Sequence, residues 1–181
     1  LSRSHNWNQV CNAGMTYGAL AIYESNPDFA WQIINRAIEK IQLPMEDYNP
    51  DGAYNEGYGY WGYGTTFNVM FLSAIEKIYN TDFGLHKYKG FLKTAGYLNN
   101  MVGLSGESFN YSDNGSRIEL HPAMFWFAKK LNDNSLLWNE KPILDKELIN
   151  RDKFLSMVMI FGAEINLNKI PQPKKDMWVG N

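Results

Sequence analysis

Two segments of this chain combine residue types suited to chemistry on a carboxylated ligand. The first is His5-Asn6-Trp7-Asn8-Gln9, an imidazole followed by three carboxamides. A carboxamide N–H can hydrogen-bond a carboxylate and offset its charge without introducing a cation. The same residues also read as a helix cap with a solvated polar stretch. The second segment is Glu56-Gly57-Tyr58-Gly59-Tyr60-Trp61-Gly62-Tyr63-Gly64, in which aromatics are interleaved with glycines. Glycine lets backbone come close to a ligand. A tyrosine hydroxyl can move protons when neighbouring donors or positive charge lower its pKa. The competing reading is a packed aromatic elbow, with Trp61 and Tyr63 in the core.

Paired carboxylates are the signature of glycoside hydrolysis. Asp51 and Glu56 lie five residues apart in one turn-rich stretch. Their expected roles are a turn at Asp51-Gly52 and, for Glu56, a structural or cleft-lining hydrogen bond, with hydrolysis as the alternative. His86 is expected to be an exposed loop residue. His121, just before Pro122, is expected at a helix start as a cap or loop residue.

These residues need elements to hold them, and the periodicity is helical throughout. Val10, Ala13, Gly14, Tyr17 and Ala21 follow the i, i+3, i+4 spacing of one helix face. Asn26-Pro27-Asp28 is a helix start, followed by the stripe Ala30, Ile33, Ile34, Ala37 and Ile41. A third helix is predicted over about 60–79, with Tyr63, Phe67, Met70, Phe71, Ala74 and Ile78 inward. A fourth is predicted near 88–101, with Phe91, Leu92, Ala95 and Leu98 inward. A fifth follows His121-Pro122, with Met124, Phe125, Ala128 and Leu131 inward. A last short helix is placed near 151–161, with Phe154, Leu155, Val158 and Phe161 inward. The stretches 49–59 and 103–116 are rich in turn residues and read as loops. The tail from Asn166 to Asn181, with Pro171, Pro173 and Lys174-Lys175, reads as a linker. No strand pattern is present, so the fold class is all-α, built of antiparallel helical hairpins.

Composition narrows the function. With 17 basic and 19 acidic residues and no basic run beyond Lys174-Lys175, the chain has no footprint for nucleic acid. A few local donors would still suffice for a polyanionic sugar. Aromatics reach 15% of residues, which suits either a sugar-binding surface or a large helical core. The single cysteine, Cys11, excludes an internal disulfide or a cysteine-rich zinc site, and is expected to be a small core residue. No apolar run of membrane-spanning length occurs. The chain opens at Leu1-Ser2-Arg3 without an initiator methionine, so its start is not taken as the natural one.

The segment His5-Asn6-Trp7-Asn8-Gln9-Val10-Cys11-Asn12-Ala13-Gly14, followed by Pro50-Asp51-Gly52-Ala53-Tyr54-Asn55-Glu56-Gly57-Tyr58-Gly59-Tyr60-Trp61, resembles the heparinase II/III and alginate lyase superfamily of polysaccharide lyases. Phe109-Asn110-Tyr111-Ser112-Asp113-Asn114-Gly115 also looks like a segment of that family. The resemblance covers residues 5 to about 130. It implies an incomplete (α/α) toroid followed by a β-sandwich, with an acidic polysaccharide bound between them and cleaved by β-elimination. Residues 1–165 would be the C-terminal portion of the toroid and 166–181 a linker toward a β-sandwich outside this chain. The first part of the toroid would lie outside it too, leaving the fragment inactive alone.

Carried over residue by residue, the resemblance makes Asn6 the group that neutralises the substrate carboxylate and Tyr60 the acid and base. His5 would assist. Trp7, Gln9, Glu56, Tyr58 and Trp61 would contact substrate. Arg3 and Arg117 would be candidate donors to a sulfated sugar. The family's chemistry implies no metal or other cofactor, and its large substrates imply a secreted or periplasmic location. A histidine that family members take from the β-sandwich has no counterpart here. The alternatives are a glycoside hydrolase of related toroid fold and a non-catalytic scaffold that grips sugar through Tyr58, Tyr60 and Trp61.

Overall fold

The computed structural model describes residues 4–145 and 153–174. The described residues are helical and contain no strand, only an isolated antiparallel bridge between Val102 and Ser108. The chain is therefore all-α, as its periodicity predicts.

Helix α1 (Asn6–Ala21) packs lengthwise against both α2 (Pro27–Lys40) and α4 (Gly57–Tyr79). Helix α2 follows its prediction closely. Asn26 precedes it, Pro27 opens it and Asp28 meets its positive end. Ala30, Ile34, Ala37, Ile38 and Ile41 are buried, whereas Ile33 is half-buried.

Helix α1 is rotated from its expected face. Gly14, Tyr17 and Ala21 are exposed, and the buried face is Asn6, Gln9, Asn12, Ala13, Thr16 and Ala19. The apolar stripe misleads here because the Asn6 and Gln9 nitrogens find partners on neighbouring elements and Asn12 bonds back to Asn8, which offsets part of the cost of burying this polar face. The helix also begins earlier than expected, so Asn6 to Gln9 form its first turn. His5 is the N-cap, its Nδ1 accepting from the Trp7 N–H at 3.3 Å. Cys11 is half-buried on this helix.

From α2 the chain passes through α3 (Gln42–Met45) and a 3-10 turn (Glu46–Tyr48) into the loop that precedes α4. Helix α4 is the central element. Trp61, Thr65, Asn68, Leu72 and Ile75 form its most deeply buried line, and Phe71 and Val69 are also enclosed. The expected stripe lies to one side of this line: Tyr63, Phe67, Met70 and Ala74 are half-buried and Ile78 is 48% exposed. The helix ends at Asn80, which takes the left-handed conformation that terminates helices.

The predicted fourth helix is broken. Gly84 and Gly90 take positive φ and start 3-10 turns at Leu85–Lys87 and Phe91–Lys93, so only α5 (Thr94–Asn100) is α-helical. Helix α6 (Pro122–Leu131) is buried from Pro122 to Ala128, enclosed by α4, by α8 (Leu155–Gly162) and by the turn Asn134–Leu137. Its Leu131 is 39% exposed, against expectation. Between them lies the short α7 (Lys141–Leu144). Arg151, expected to open the last helix, lies outside the described residues. Residues 166–174 carry no helix or strand.

An aromatic cluster ties the two halves together. Phe91 meets Tyr48 at 5.1 Å between ring centroids and Phe127 at 5.3 Å, and Trp61 lies 6.3 Å from Phe127. Trp61 is fully buried, and its indole N–H donates to Thr94 Oγ1 at 2.7 Å, so its one polar atom is satisfied.

Candidate functional site

The glycines at the start of α4 are the key to its surroundings. A methyl group placed on Gly57 would come 3.1 Å from the Tyr111 carbonyl oxygen, and one on Gly59 2.5 Å from Asn114 Oδ1. On Gly62 it would meet His121 Nε2 at 2.3 Å, and on Gly64 it would meet Gln9 Oε1 at 2.3 Å. The sequence suggests glycines that admit a ligand. In the structure they admit the chain's own groups: the Tyr111 carbonyl and Asn114 from the 103–116 loop, His121 at the N-cap of α6 and Gln9 from α1.

Three polar clusters result. In the first, Glu56 Oε2 accepts from Asn6 Nδ2 at 2.8 Å and from the Tyr54 hydroxyl at 3.2 Å. Asn6 is 2% exposed and Tyr54 1%, whereas Glu56 is half-buried. Burial, then the neighbouring Tyr48 hydroxyl and the Glu56 and Asp47 carboxylates, push the Tyr54 phenol far above its ordinary range, so it stays protonated.

In the second cluster, Gln9 Nε2 donates to the Tyr48 hydroxyl at 2.8 Å, and Tyr48 shares a 2.8 Å hydrogen bond with Thr65 Oγ1. Burial pushes the Tyr48 phenol up to about 12, although its hydrogen bonds partly offset this. Removing that hydroxyl would strand two buried polar partners. Tyr48→Phe is therefore expected to cost about 2 kcal/mol, seen as a fall of about 4–8 °C in Tm. An unchanged melting curve would show that the cluster carries no stability.

In the third cluster, His121 is 3% exposed and lies edge-on to Tyr58 (4.9 Å) and Trp61 (5.8 Å). Its backbone N–H donates to Glu140 Oε2 at 2.9 Å, and its Nδ1 lies 3.4 Å from Glu140 Oε1. His121 stands at the N-cap of α6 but makes no side-chain cap bond. It is an interior residue rather than a surface cap. His86 is also not free: it is half-buried, with Nδ1 on Asp82 Oδ2.

The carboxylate that senses Glu56 is Asp47. Burial, then Glu56 and Glu46, raise its pKa to about 6. A carboxyl whose folded pKa exceeds its ordinary 3.8 withdraws stability as the pH rises through that interval to about 6. Asp51 instead serves its turn, with Oδ1 accepting from the Ala53 N–H at 3.2 Å.

The structure thus brings Asn6, Gln9 and Glu56 together at one place, with Tyr60 one helical turn before Gly64 on α4. Tyr60 is half-buried, His5 is half-buried at the cap, and Trp7 is 57% exposed. Trp61 and Tyr58 are elsewhere. Trp61 is fully buried, and Tyr58 is 2% exposed with its hydroxyl donating to the Glu119 carbonyl at 3.3 Å. Neither offers a ring face to a sugar, and Gln9 is fully buried with its Nε2 on Tyr48, which corrects the expected substrate role of all three. Burial takes the two rings because Trp61 lies on the inward line of α4 and Tyr58 packs on His121. Arg117 is exposed, and Arg3 lies outside the described residues.

Tyr48, Tyr54 and Asp47 were not singled out by their sequence context. Lying in turn-rich stretches, they carry no periodicity, and only their proximity to the Glu56 segment marks them. Among the described residues no group of three or more His, Cys, Asp or Glu is placed to hold a metal ion. No helix among them is long and apolar enough to cross a membrane. A scan against protein-family models finds no match, and a search of curated proteins finds none similar to this chain.

Proposed function

We propose that this chain is part of a polysaccharide lyase of the heparinase II/III and alginate lyase group, supplying hairpins of an incomplete (α/α) toroid. Residues 1–165 would belong to that toroid and 166–181 would lead to a β-sandwich. The substrate would be a uronic-acid-containing polysaccharide met outside the cytoplasm.

One observation carries this reading. A methyl on Gly64 would lie 3.0 Å from Asn6 Cβ, and Tyr60 sits four residues earlier on the same helix face. The two residues given catalytic roles by the resemblance, 54 apart in sequence, are thus linked through Gly64, which abuts Asn6 and lies one helical turn from Tyr60.

The chemistry follows from what those groups can do. The C5 proton of a uronate is weakly acidic beside an ionised carboxylate. An Asn6 N–H donated to that carboxylate stabilises the negative charge that grows there as the proton leaves. The Tyr60 phenol oxygen takes the proton from C5. The C5–H electron pair becomes the C4=C5 double bond, the C4–O4 bond breaks, and the departing O4 receives a proton from the same phenol. His5 has Nδ1 engaged by Trp7 and would reach substrate through Nε2. Exposed Trp7 would pack on a sugar face.

The test is the product. The full-length protein, incubated with heparan sulfate, alginate, hyaluronan and chondroitin, is expected to generate ultraviolet absorbance from a 4,5-unsaturated uronate on one of them. A second reading is favoured by Asp47, a carboxyl near Glu56 whose pKa is raised chiefly by burial, since a carboxylic acid with a raised pKa is the general acid of glycoside hydrolysis. New reducing ends without the absorbance would replace the lyase reading with that one.

A further inference from the structure

We infer that Glu56 is a positioning residue that fixes the face Asn6 presents to substrate, and that Tyr54 holds Glu56 in place for this task. The inference rests on the lyase reading for its catalytic consequence, but the positioning can be tested without it.

The geometry points one way. A side-chain amide has an oxygen end and a nitrogen end of nearly equal size, and nothing in its shape decides between them. An ionised carboxylate only accepts hydrogen bonds, so Asn6 must turn its nitrogen toward Glu56. At 2.8 Å this contact uses one of the two Nδ2 hydrogens and leaves the other for a second acceptor. The opposite end of the amide, Oδ1, is buried without a hydrogen-bond partner among the described residues. Among the described residues Asn6 thus has no second hydrogen bond that would select its orientation, and Glu56 is the one that imposes it.

Tyr54 completes the arrangement. Its hydroxyl donates to the same Glu56 oxygen that Asn6 uses. Its own position is fixed, because the Tyr97 hydroxyl donates to its carbonyl at 2.9 Å and its ring packs on Tyr48 at 5.5 Å. Gly64 leaves room for it: a methyl there would lie 3.3 Å from the Tyr54 oxygen. The charged group that bears on Glu56 is the Asp47 carboxylate. Glu56 is therefore held by neutral donors beside a like charge.

The decisive variant is Glu56→Gln in the full-length protein. Glutamine has the same shape but can both donate and accept, so either orientation of Asn6 is accommodated. The expected result is a Tm close to wild type, a kcat lower by about 10–100-fold and a KM changed much less. Tyr54→Phe should lower kcat by a smaller factor. Unchanged kcat in Glu56→Gln would overturn the inference. A second readout needs no turnover: with 15N-asparagine labelling, the Asn6 side-chain amide proton bonded to Glu56 should resonate farther downfield in wild type than in Glu56→Gln. Equivalent shifts in both proteins would also overturn it. If wild type forms no unsaturated product on any uronate while the amide signature appears and responds to Glu56→Gln, the lyase reading fails and the positioning stands.

Discussion

Tyr60→Phe in the full-length protein should lower kcat on the cleaved polysaccharide by about 10²–10⁴-fold, the range associated with losing a proton-transfer group. The fold should hardly notice. Tyr60 is half-buried, its hydroxyl makes no hydrogen bond among the described residues, and the ring itself is retained. Stability should therefore stay within about 0.5 kcal/mol. This separation makes the experiment informative, because a loss of turnover cannot be blamed on unfolding. Asn6→Ala should also lower kcat, by about 10²–10³-fold as for the removal of one donor to a developing negative charge. It differs in also leaving Glu56 with Tyr54 as its remaining hydrogen-bond donor. Initial rates of ultraviolet-absorbing product, with circular dichroism melts alongside, measure both variants. Wild-type turnover in Tyr60→Phe would remove Tyr60 from the reaction.

The largest effect on stability is expected at Gly90. Its φ is +84°, and a methyl group there would lie 1.8 Å from the backbone oxygen of Tyr48, which no side-chain motion can relieve. Gly90→Ala combines backbone strain of about 1–3 kcal/mol with overpacking of about 1–3 kcal/mol, giving about 4 kcal/mol in all. Two other glycines separate these contributions. Gly84 has φ +78° with nothing near its absent Cβ, so Gly84→Ala meets strain alone and should cost about 1–2 kcal/mol. Gly14 lies within α1 in open space, so Gly14→Ala should stabilise by about 1 kcal/mol through helix propensity. Chemical denaturation of the three variants should rank them Gly14→Ala, wild type, Gly84→Ala and Gly90→Ala from most to least stable. A Gly90→Ala protein as stable as Gly84→Ala would show that the approach to Tyr48 is readily relaxed.

The helices that announce themselves in the sequence are those whose buried face is apolar. Helix α2 is the plain case: its opening proline and its aliphatic stripe agree and the structure follows them, although Asn26 stands at the N-cap without a side-chain cap bond. Helix α1 was legible as a helix but not in its orientation. Val10, Gly14 and Tyr17 suggested one face, while hydrogen bonding lets Asn6, Gln9 and Asn12 occupy the interior. The 88–101 stretch kept a helical pattern of apolar residues, and Phe91, Ala95 and Leu98 do point inward. Its regularity is broken by Gly90 at positive φ, a backbone feature that apolar spacing does not register. At the site, Asn6, Gln9 and Glu56 were chosen by residue type and do converge. Trp61 and Tyr58 shared the same aromatic-rich string yet turned inward, because alternate positions on a helix face different directions. Asp47 and Tyr48 gave no signal and Tyr54 was marked only as part of the resembling string, since their roles depend on contacts with residues distant in sequence.

The polar seam between α1 and α4 has a consequence for anyone evolving this protein. Asn6 Oδ1, Gln9 Oε1 and Thr16 Oγ1 are enclosed there without hydrogen-bond partners among the described residues, a standing cost that aliphatic side chains would remove. A variant library screened for heat resistance alone should accumulate apolar replacements at positions 6, 9 and 16. Its survivors would be hardier proteins that had discarded the amide at the centre of the site, so any such screen needs a second filter for turnover.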